Sequence, residues 1–405
     1  MGALLKDLES LVANADRVLD HIKTQLFAPT GEKQFKKLFK ISEAADLIYR
    51  SKSAIRKAEG EGNIESCRAE NSRYRGFSLD QLNAARSYFG SEPRLGSNEE
   101  AEILAVQNFK GGVAKTTISV HLAQWLAIRG FRVLLIDLDS QASSTAMFGY
   151  TPDIEIKEED TIAPYIYGDQ RTIHYAIRKT HIPNLSLIPS NLQLYQAEYH
   201  IQAMHDETPV YSYLTSALEE IKHEFEVIII DPPPALGMFS LNTMVAATSM
   251  VIPMPPRMLD FTSSMQFFNM MKETLSVIEK KLGTELEYNF LSIITSKKKQ
   301  RLNDEKNARA EDDIVKIAKM LLGDKWMLEN AIYESSAIDN AVNQFSTLYE
   351  IDGSAASSQS HRMAVEAMDA VFTEVFMKII ETRPAIQKAL KIQTKQDEEK
   401  ETSHG

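Results

Sequence analysis

One cysteine, Cys67, is all that 405 residues contain. A lone thiol closes no internal disulfide, so a disulfide-stapled fold is excluded and a reducing cytoplasm is the simplest setting. Long apolar runs are missing as well. No stretch of 18 apolar residues occurs, and no spanning helix is expected. The first ten residues, Met1 to Ser10, carry early acids and no long apolar core, unlike a signal peptide. Lys6 stands where a myristoylation motif needs Ser or Thr. An excess of positive charge is absent too. The net charge of −11 excludes a uniformly basic coat. Local basic patches remain open, because salt confines charge effects to about 8 Å. What is left is ordinary: 43% hydrophobic and 25% charged residues, in a length that suits two or three domains and an α/β core.

What is present is organised around Asn108-Phe-Lys-Gly-Gly-Val-Ala-Lys-Thr-Thr117. An apolar run, Ile103 to Phe109, leads into it and a helical pattern, Ile118 to Arg129, leaves it. Strand, glycine turn and helix N-terminus together make a phosphate cradle. The backbone of Lys110, Gly111, Gly112, Val113 and Ala114 would wrap an anion, with Lys115, Thr116 and Thr117 at the helix start. Lys115 would reach the β/γ-phosphates of ATP and the Thr116 hydroxyl would take Mg²⁺. The pattern G-x-x-x-x-G-K-[ST] does not fit, since Phe109 and Ala114 occupy its glycine positions. K-G-G-x-x-K-T-[ST] does fit, with Lys110 as a second lysine.

Beyond the loop, continuous apolar runs alternate with helical segments. The runs are 103–108, 133–137, 185–189, 227–231, 250–254 and 290–295. This predicts an α/β fold with a doubly wound, mostly parallel sheet covered on both faces. Three carboxylates fall at strand C-termini, the edge where such sheets bind ligands. Asp231 follows four apolar residues and can hold Mg²⁺ through a water. Asp137 and Asp139 end the run that begins at Val133. The segment 251–264 is rich in proline, which fixes φ and presents carbonyls. It is either a base-reading surface near Met254 and Pro255 or a plain strand-to-helix turn.

The N-terminal quarter reads differently. Residues 1–30 form an amphipathic helix striped by Leu4, Leu5, Leu8, Leu11, Val12 and Val18. That stripe packs on its own domain or on a second chain. Residues 31–97 predict two short helices, the first capped by Ser42, with a turn at Arg50-Ser51. A hairpin over 64–77 and a closing helix over 78–89 follow. From Lys33 to Lys57 there are eight Lys or Arg and two acids, in a chain that is acidic overall. The second helix would offer Lys52, Ser53, Arg56 and Lys57 to DNA bases, and Arg68, Arg73 and Arg75 would grip phosphates. The bland alternative is a solvated basic hairpin. Lys297, Lys298 and Lys299 form another basic cluster, and a charge run of this kind is usually a solvated face.

The loop resembles the deviant Walker A loop of the ParA/MinD family of ATPases. Asp137-Leu-Asp139-Ser-Gln141 resembles that family's D-x-D-P-Q motif, and residues 42–89 resemble MerR-like winged helix-turn-helix domains. Together these look like the large, plasmid-encoded partition ATPases, most of all the RepA kind of repABC replicons. The resemblance implies an ATPase domain over residues 98–385 and a charged tail over 386–405. It implies that Lys110 crosses a homodimer interface to the partner's nucleotide, that Asp137 lies near the metal and that Asp139 orients the attacking water. Met254 and Pro255 would line the adenine pocket, and the lysines at 297–299 would bind DNA without sequence preference. The implied partners are DNA and a ParB-type centromere-binding protein that stimulates a weak ATPase. The implied place is the nucleoid, without a membrane, because the basic amphipathic C-terminal helix of MinD is not found. The lone Cys67 separates the chain from nitrogenase iron protein, which shares the loop but needs thiolates for its cluster.

Overall fold

A computed structural model describes residues 3–26, 33–68, 74–203, 209–300, 305–351 and 358–391. Contacts divide the chain into two units, residues 1–34 and 35–405. The first holds helix α1 (Ala3–Leu26), on which Leu4, Leu5, Leu8, Leu11, Val12 and Val18 are all exposed.

The second unit opens with α2 (Ile41–Ile48). Its start corrects the expected cap. Lys40, not Ser42, precedes the helix, and the Glu43 carboxylate accepts from the Lys40 N–H at 2.8 Å. An acid in the first turn thus satisfies a donor that Ser42, already helical, cannot reach. Tyr49 ends α2 in the left-handed region, at φ 58°. Ser51 caps α3 (Lys52–Gly60), its hydroxyl accepting from the Ala54 N–H. Strands β1 (Cys67–Arg68) and β2 (Tyr74–Gly76) pair antiparallel. A capping box between Ser78 and Gln81 starts α4 (Leu79–Phe89). Helix, turn, helix, hairpin and helix therefore occur in the order read from the sequence.

These helices do not stand apart. Ile48, Ile55, Phe77 and Leu82 belong to the same buried cluster as Trp125, Phe131 and Phe372 of the following region. Arg86 of α4 is 1% exposed and donates to the Leu47 carbonyl at 3.2 Å and the Ile128 carbonyl at 2.5 Å. Each carbonyl lies at a helix C-terminus, where a cation is favoured. Burial away from any carboxylate in hydrogen-bonding reach pulls the guanidinium down to about 9. Gly130 is required beside it: φ is 93°, and a Cβ would stand 2.8 Å from the Arg86 side chain.

The rest is a three-layer α/β body. In chain order it comprises β3 (Glu102–Val106), α5 (Lys115–Ile128), β4 (Val133–Asp137), α6 (Ser143–Met147), α7 (Ala163–Ile166), β5 (Arg178–Lys179), β6 (Leu185–Ile188), α8 (Leu194–Ala203) and α9 (Tyr213–Glu219). Then come β7 (Val227–Asp231), α10 (Met238–Ala246), β8 (Ser249–Met254), α11 (Met258–Leu282), β9 (Phe290–Lys298), α12 (Glu305–Leu322), β10 (Met327–Tyr333), α13 (Ser336–Asn343), α14 (Gln359–Glu381) and α15 (Pro384–Leu390). The sheet order is β10-β9-β8-β3-β7-β4-β6-β5. All neighbours are parallel except β5 and β6. All six expected strands are present, and β3, β4, β7 and β8 are buried at every position, as their unbroken apolar runs require. Leu104 and Val106 face the cluster of α5 and α14, while Ile103 faces that of α7 to α10. The open edge of β10 is partly covered: the Glu374 carboxylate accepts from the N–H groups of Glu329 and Asn330.

Candidate functional site

The loop between β3 and α5 turns on two left-handed residues, Gly112 at φ 74° and Ala114 at φ 78°. Such a turn aims successive N–H groups to one side and opens α5 with its positive dipole end. Ala114 is the residue that breaks the ordinary glycine pattern, and the backbone conformation is the one glycine favours. An L-residue there costs about 1–2 kcal/mol, partly offset by a stiffer unfolded chain. Ala114→Gly is therefore expected to stabilise the chain by up to about 1 kcal/mol in urea unfolding. Unchanged or lower stability would mean that the methyl group packs well enough to offset the strain.

Neighbouring strands fix the loop. Asn108 donates to the Pro253 carbonyl at 2.9 Å and accepts from the Lys110 N–H at 3.0 Å. Ser296 of β9 donates to the Val113 carbonyl at 2.9 Å. Lys115 is 7% exposed, and burial holds its ammonium below the usual lysine value against the pull of Asp231 and Asp139.

Asp137 and Asp231 are register partners at the ends of adjacent strands, β4 and β7. Both are buried, at 0% and 1% exposure. Their other contacts are donors. Asp137 accepts from the Thr145 N–H at 2.9 Å and its hydroxyl at 2.7 Å. Asp231 accepts from the hydroxyls of Ser144 at 2.7 Å and Ser119 at 3.2 Å, and also from Thr116. Burial first, then the neighbouring carboxylate charges, push both acids above the ordinary carboxylate range. Two desolvated acids side by side, ringed by hydroxyls, want a cation. No group of three or more His, Cys, Asp or Glu able to hold a metal occurs among the described residues. The protein thus supplies part of a coordination shell, as suits Mg²⁺, which keeps waters and takes phosphate oxygens. Asp139 is half-buried and accepts from the Gln141 N–H at 3.0 Å, so its own turn orients it.

Lys110 forms an ion pair with Asp260, in the first turn of α11. A cavity of about 750 Å³ opens beside the loop, lined by Ala114, Thr117, Lys297, Tyr333, Ser335 and Asp339. That volume suits a nucleotide-sized ligand. Met254 and Pro255 are buried residues at the end of β8 and do not line it. Met254 sits among Ala105, Phe267 and Ile293. The sequence reading missed the wall made by β10 and α13. Its one usable signal was Ser335, which caps α13 by accepting from the Ala337 N–H.

The basic residues separate into two kinds. Lys52, Ser53, Arg56 and Lys57 are exposed on one short helix. Arg75 is exposed too, and Arg68 pairs with Glu59 at 2.7 Å. Arg73 lies outside the described residues. The cluster at 297–299 is not one solvated face. Lys297 lines the cavity, Lys298 pairs with Asp312 at 2.8 Å, and the Lys299 N–H donates to Glu311.

A family model described as an AAA domain matches residues 101–288. The chain is 32% identical to protein SopA of Escherichia coli K12 over 85% of its own length and 89% of SopA. A Rhizobium rhizogenes protein named as a replication protein A is 30% identical over 90% of this chain and 94% of that protein. A solved structure titled partition protein superposes with a TM-score of 0.61 over 92% of this chain and 98% of that one, at 17% identity, which speaks for the fold alone. A loop with two lysines, two adjacent strand-end acids and kinship along nearly the whole length converge, and the chain belongs to the ParA-type family of partition ATPases.

Proposed function

We propose that this protein is a DNA-segregating ATPase that also binds the operator of its own operon. The observation that carries this is the pairing, in one chain, of the ATPase site with an exposed basic helix, α3. The loop N–H groups and Lys115 hold the β/γ-phosphates of ATP. The Thr116 hydroxyl, Asp231 and Asp137 are the groups that would hold Mg²⁺, and Asp139 would orient the attacking water. Bound Mg²⁺ neutralises charge on the transferring phosphoryl group. The cavity beside Thr117 and Tyr333 takes the nucleoside. Two subunits close over two nucleotides, and Lys110 leaves Asp260 to reach the partner's phosphates. The ATP-bound dimer associates with bulk DNA on the nucleoid, in the cytoplasm and away from membranes. A ParB-type protein stimulates an otherwise weak hydrolysis and releases the dimer. Residues 31–97, as a winged helix-turn-helix, read the operator through Lys52, Ser53, Arg56 and Lys57, and the uncovered stripe on α1 pairs with that of a second chain.

The test is dimerisation coupled to turnover. With a slowly hydrolysed ATP analogue and Mg²⁺, sedimentation should show a dimer. Lys110→Ala should weaken it at least roughly tenfold, since a charge-assisted contact at a close interface is lost. DNA plus the ParB-type protein encoded beside this chain should raise hydrolysis in the unaltered chain. Dimerisation that ignores Lys110, or turnover that ignores DNA and partner together, would reject the reading.

A further inference from the structure

Helix α8 has two faces with different business. Its inner face, Leu194, Ala197 and Ile201, is buried with Leu138, Met238 and Phe239. Leu138 directly follows Asp137, and Met238 opens α10 after the loop that leaves Asp231. Glu198 adds a polar clamp. Its carboxylate accepts from the Phe239 N–H at 3.3 Å, capping an α10 whose own N-cap, Gly237, has no side chain to do so. A Cβ on Gly237 would stand 2.0 Å from the Glu198 carboxylate. Any tilt of α8 is therefore felt at the loops after Asp137 and Asp231.

The outer face is apolar, aromatic and uncovered. Leu192, Tyr195 and Tyr199 are 59%, 51% and 56% exposed, and their spacing puts them on one side. The two tyrosines meet edge to face, with ring centroids 5.0 Å apart and hydroxyls 2.8 Å apart. The Leu192 N–H donates to Asp153 at 2.9 Å, which brings Ile154, 43% exposed, to the same patch. The segment that carries Ile154 is acidic: from Asp153 to Asp160 there are five acids and one lysine, with Asp153, Glu155 and Glu159 exposed. Leucine, isoleucine and two tyrosines beside an acidic rim suit a segment with apolar anchors and Lys or Arg, since aromatic faces and carboxylates both favour cations.

We infer that the outer face of α8, with Ile154, docks a basic amphipathic segment of the stimulating protein, and that Glu198 carries the docking to the loop after Asp231. This rests on the partner-stimulated ATPase reading above. Glu198 is a positioning residue, remote from the nucleotide loop in sequence and tied to the site through α10.

The probe is the ParB-type protein encoded beside this chain, with hydrolysis and fluorescence-anisotropy binding read together. Tyr195→Ser with Tyr199→Ser should raise the concentration for half-maximal activation roughly tenfold or more, as loss of aromatic anchors does, with basal turnover unchanged. Glu159→Lys, on an exposed loop where folding is not at stake, should weaken binding and flatten its salt dependence. Glu198→Ala should bind the partner normally yet lose most of the stimulation, and Glu198→Gln, still an acceptor for the Phe239 N–H, should recover it. If the unaltered chain is stimulated and the tyrosine and Glu159 variants respond at the same concentrations, the docking surface is overturned while the ATPase reading stands. If the unaltered chain is neither bound nor stimulated, both are overturned. If Glu198→Ala is stimulated like the unaltered chain, the relay is overturned.

Discussion

Lys115→Ala is expected to lower ATP turnover by about 10²–10³-fold, the usual loss for one preorganised donor aimed at developing charge. The ammonium is nearly buried, and its environment was built to accept a cation: Asp231 and Asp139 both act to keep it protonated. In that low-dielectric setting it meets phosphate oxygens with little competing water, so its contribution to the transition state is large. The fold should survive, because Lys115 is the first residue of α5 and alanine is a good helix former. Phosphate release under saturating Mg-ATP, with circular dichroism as the control for folding, measures it. Turnover within a few-fold of the unaltered chain would take Lys115 out of the site.

The second large effect is on stability, and it separates two acids that look alike. The folded pKa values of Asp137 and Asp231 lie above the unfolded value. For a raised pKa, the stabilising contribution is complete below the unfolded value, near 4, and is lost as pH rises through the folded one. Without metal, the chain should therefore lose stability as pH rises from about 4 through the raised values. At neutral pH, Asp231→Asn should raise the stability of the metal-free chain by about 1–2 kcal/mol. Its partners Ser119 and Ser144 are hydroxyls, which can turn and accept from the new amide. Asp137→Asn should not gain, and should lose a similar amount. Its Oδ2 accepts from the backbone N–H of Thr145, a donor that cannot turn round to meet an amide. Melting in EDTA should show the two variants moving in opposite directions, with Mg-ATP stabilising Asp231→Asn less than the unaltered chain. Parallel shifts would mean that desolvation, not the partners' chemistry, governs both sites.

Much of this architecture was legible in the sequence because burial on both faces writes itself as unbroken apolar runs. Strands such as Val133 to Asp137 and Val227 to Asp231 could be marked to within a residue. The strand order could not: that β7 lies between β3 and β4, making Asp137 and Asp231 neighbours, comes from packing rather than from any local pattern. β10 escaped because Glu329 and Asn330 interrupt its apolar run at an open sheet edge. With it went one wall of the cavity. The lysines at 297–299 look alike in sequence, but Lys298 and Lys299 meet α12, and Lys297 turns left-handed, at φ 50°, toward the cavity. The bond between Lys110 and Asp260 spans 150 residues, a distance over which periodicity says nothing.

Arg86 sets a rule for protein engineering. Since its guanidinium binds carbonyls that end α2 and α5, and Gly130 makes room for it, the N-terminal helices are not a cassette that could be transplanted onto another ATPase body by joining sequences at residue 98. The acceptor would have to offer a free carbonyl where Ile128 stands, a glycine where Gly130 stands and an apolar seat for Phe77 and Leu82. A graft lacking these would bury a cation with nothing to bind, and selection for a working fusion should restore the receiving surface before it touches the helices that were moved.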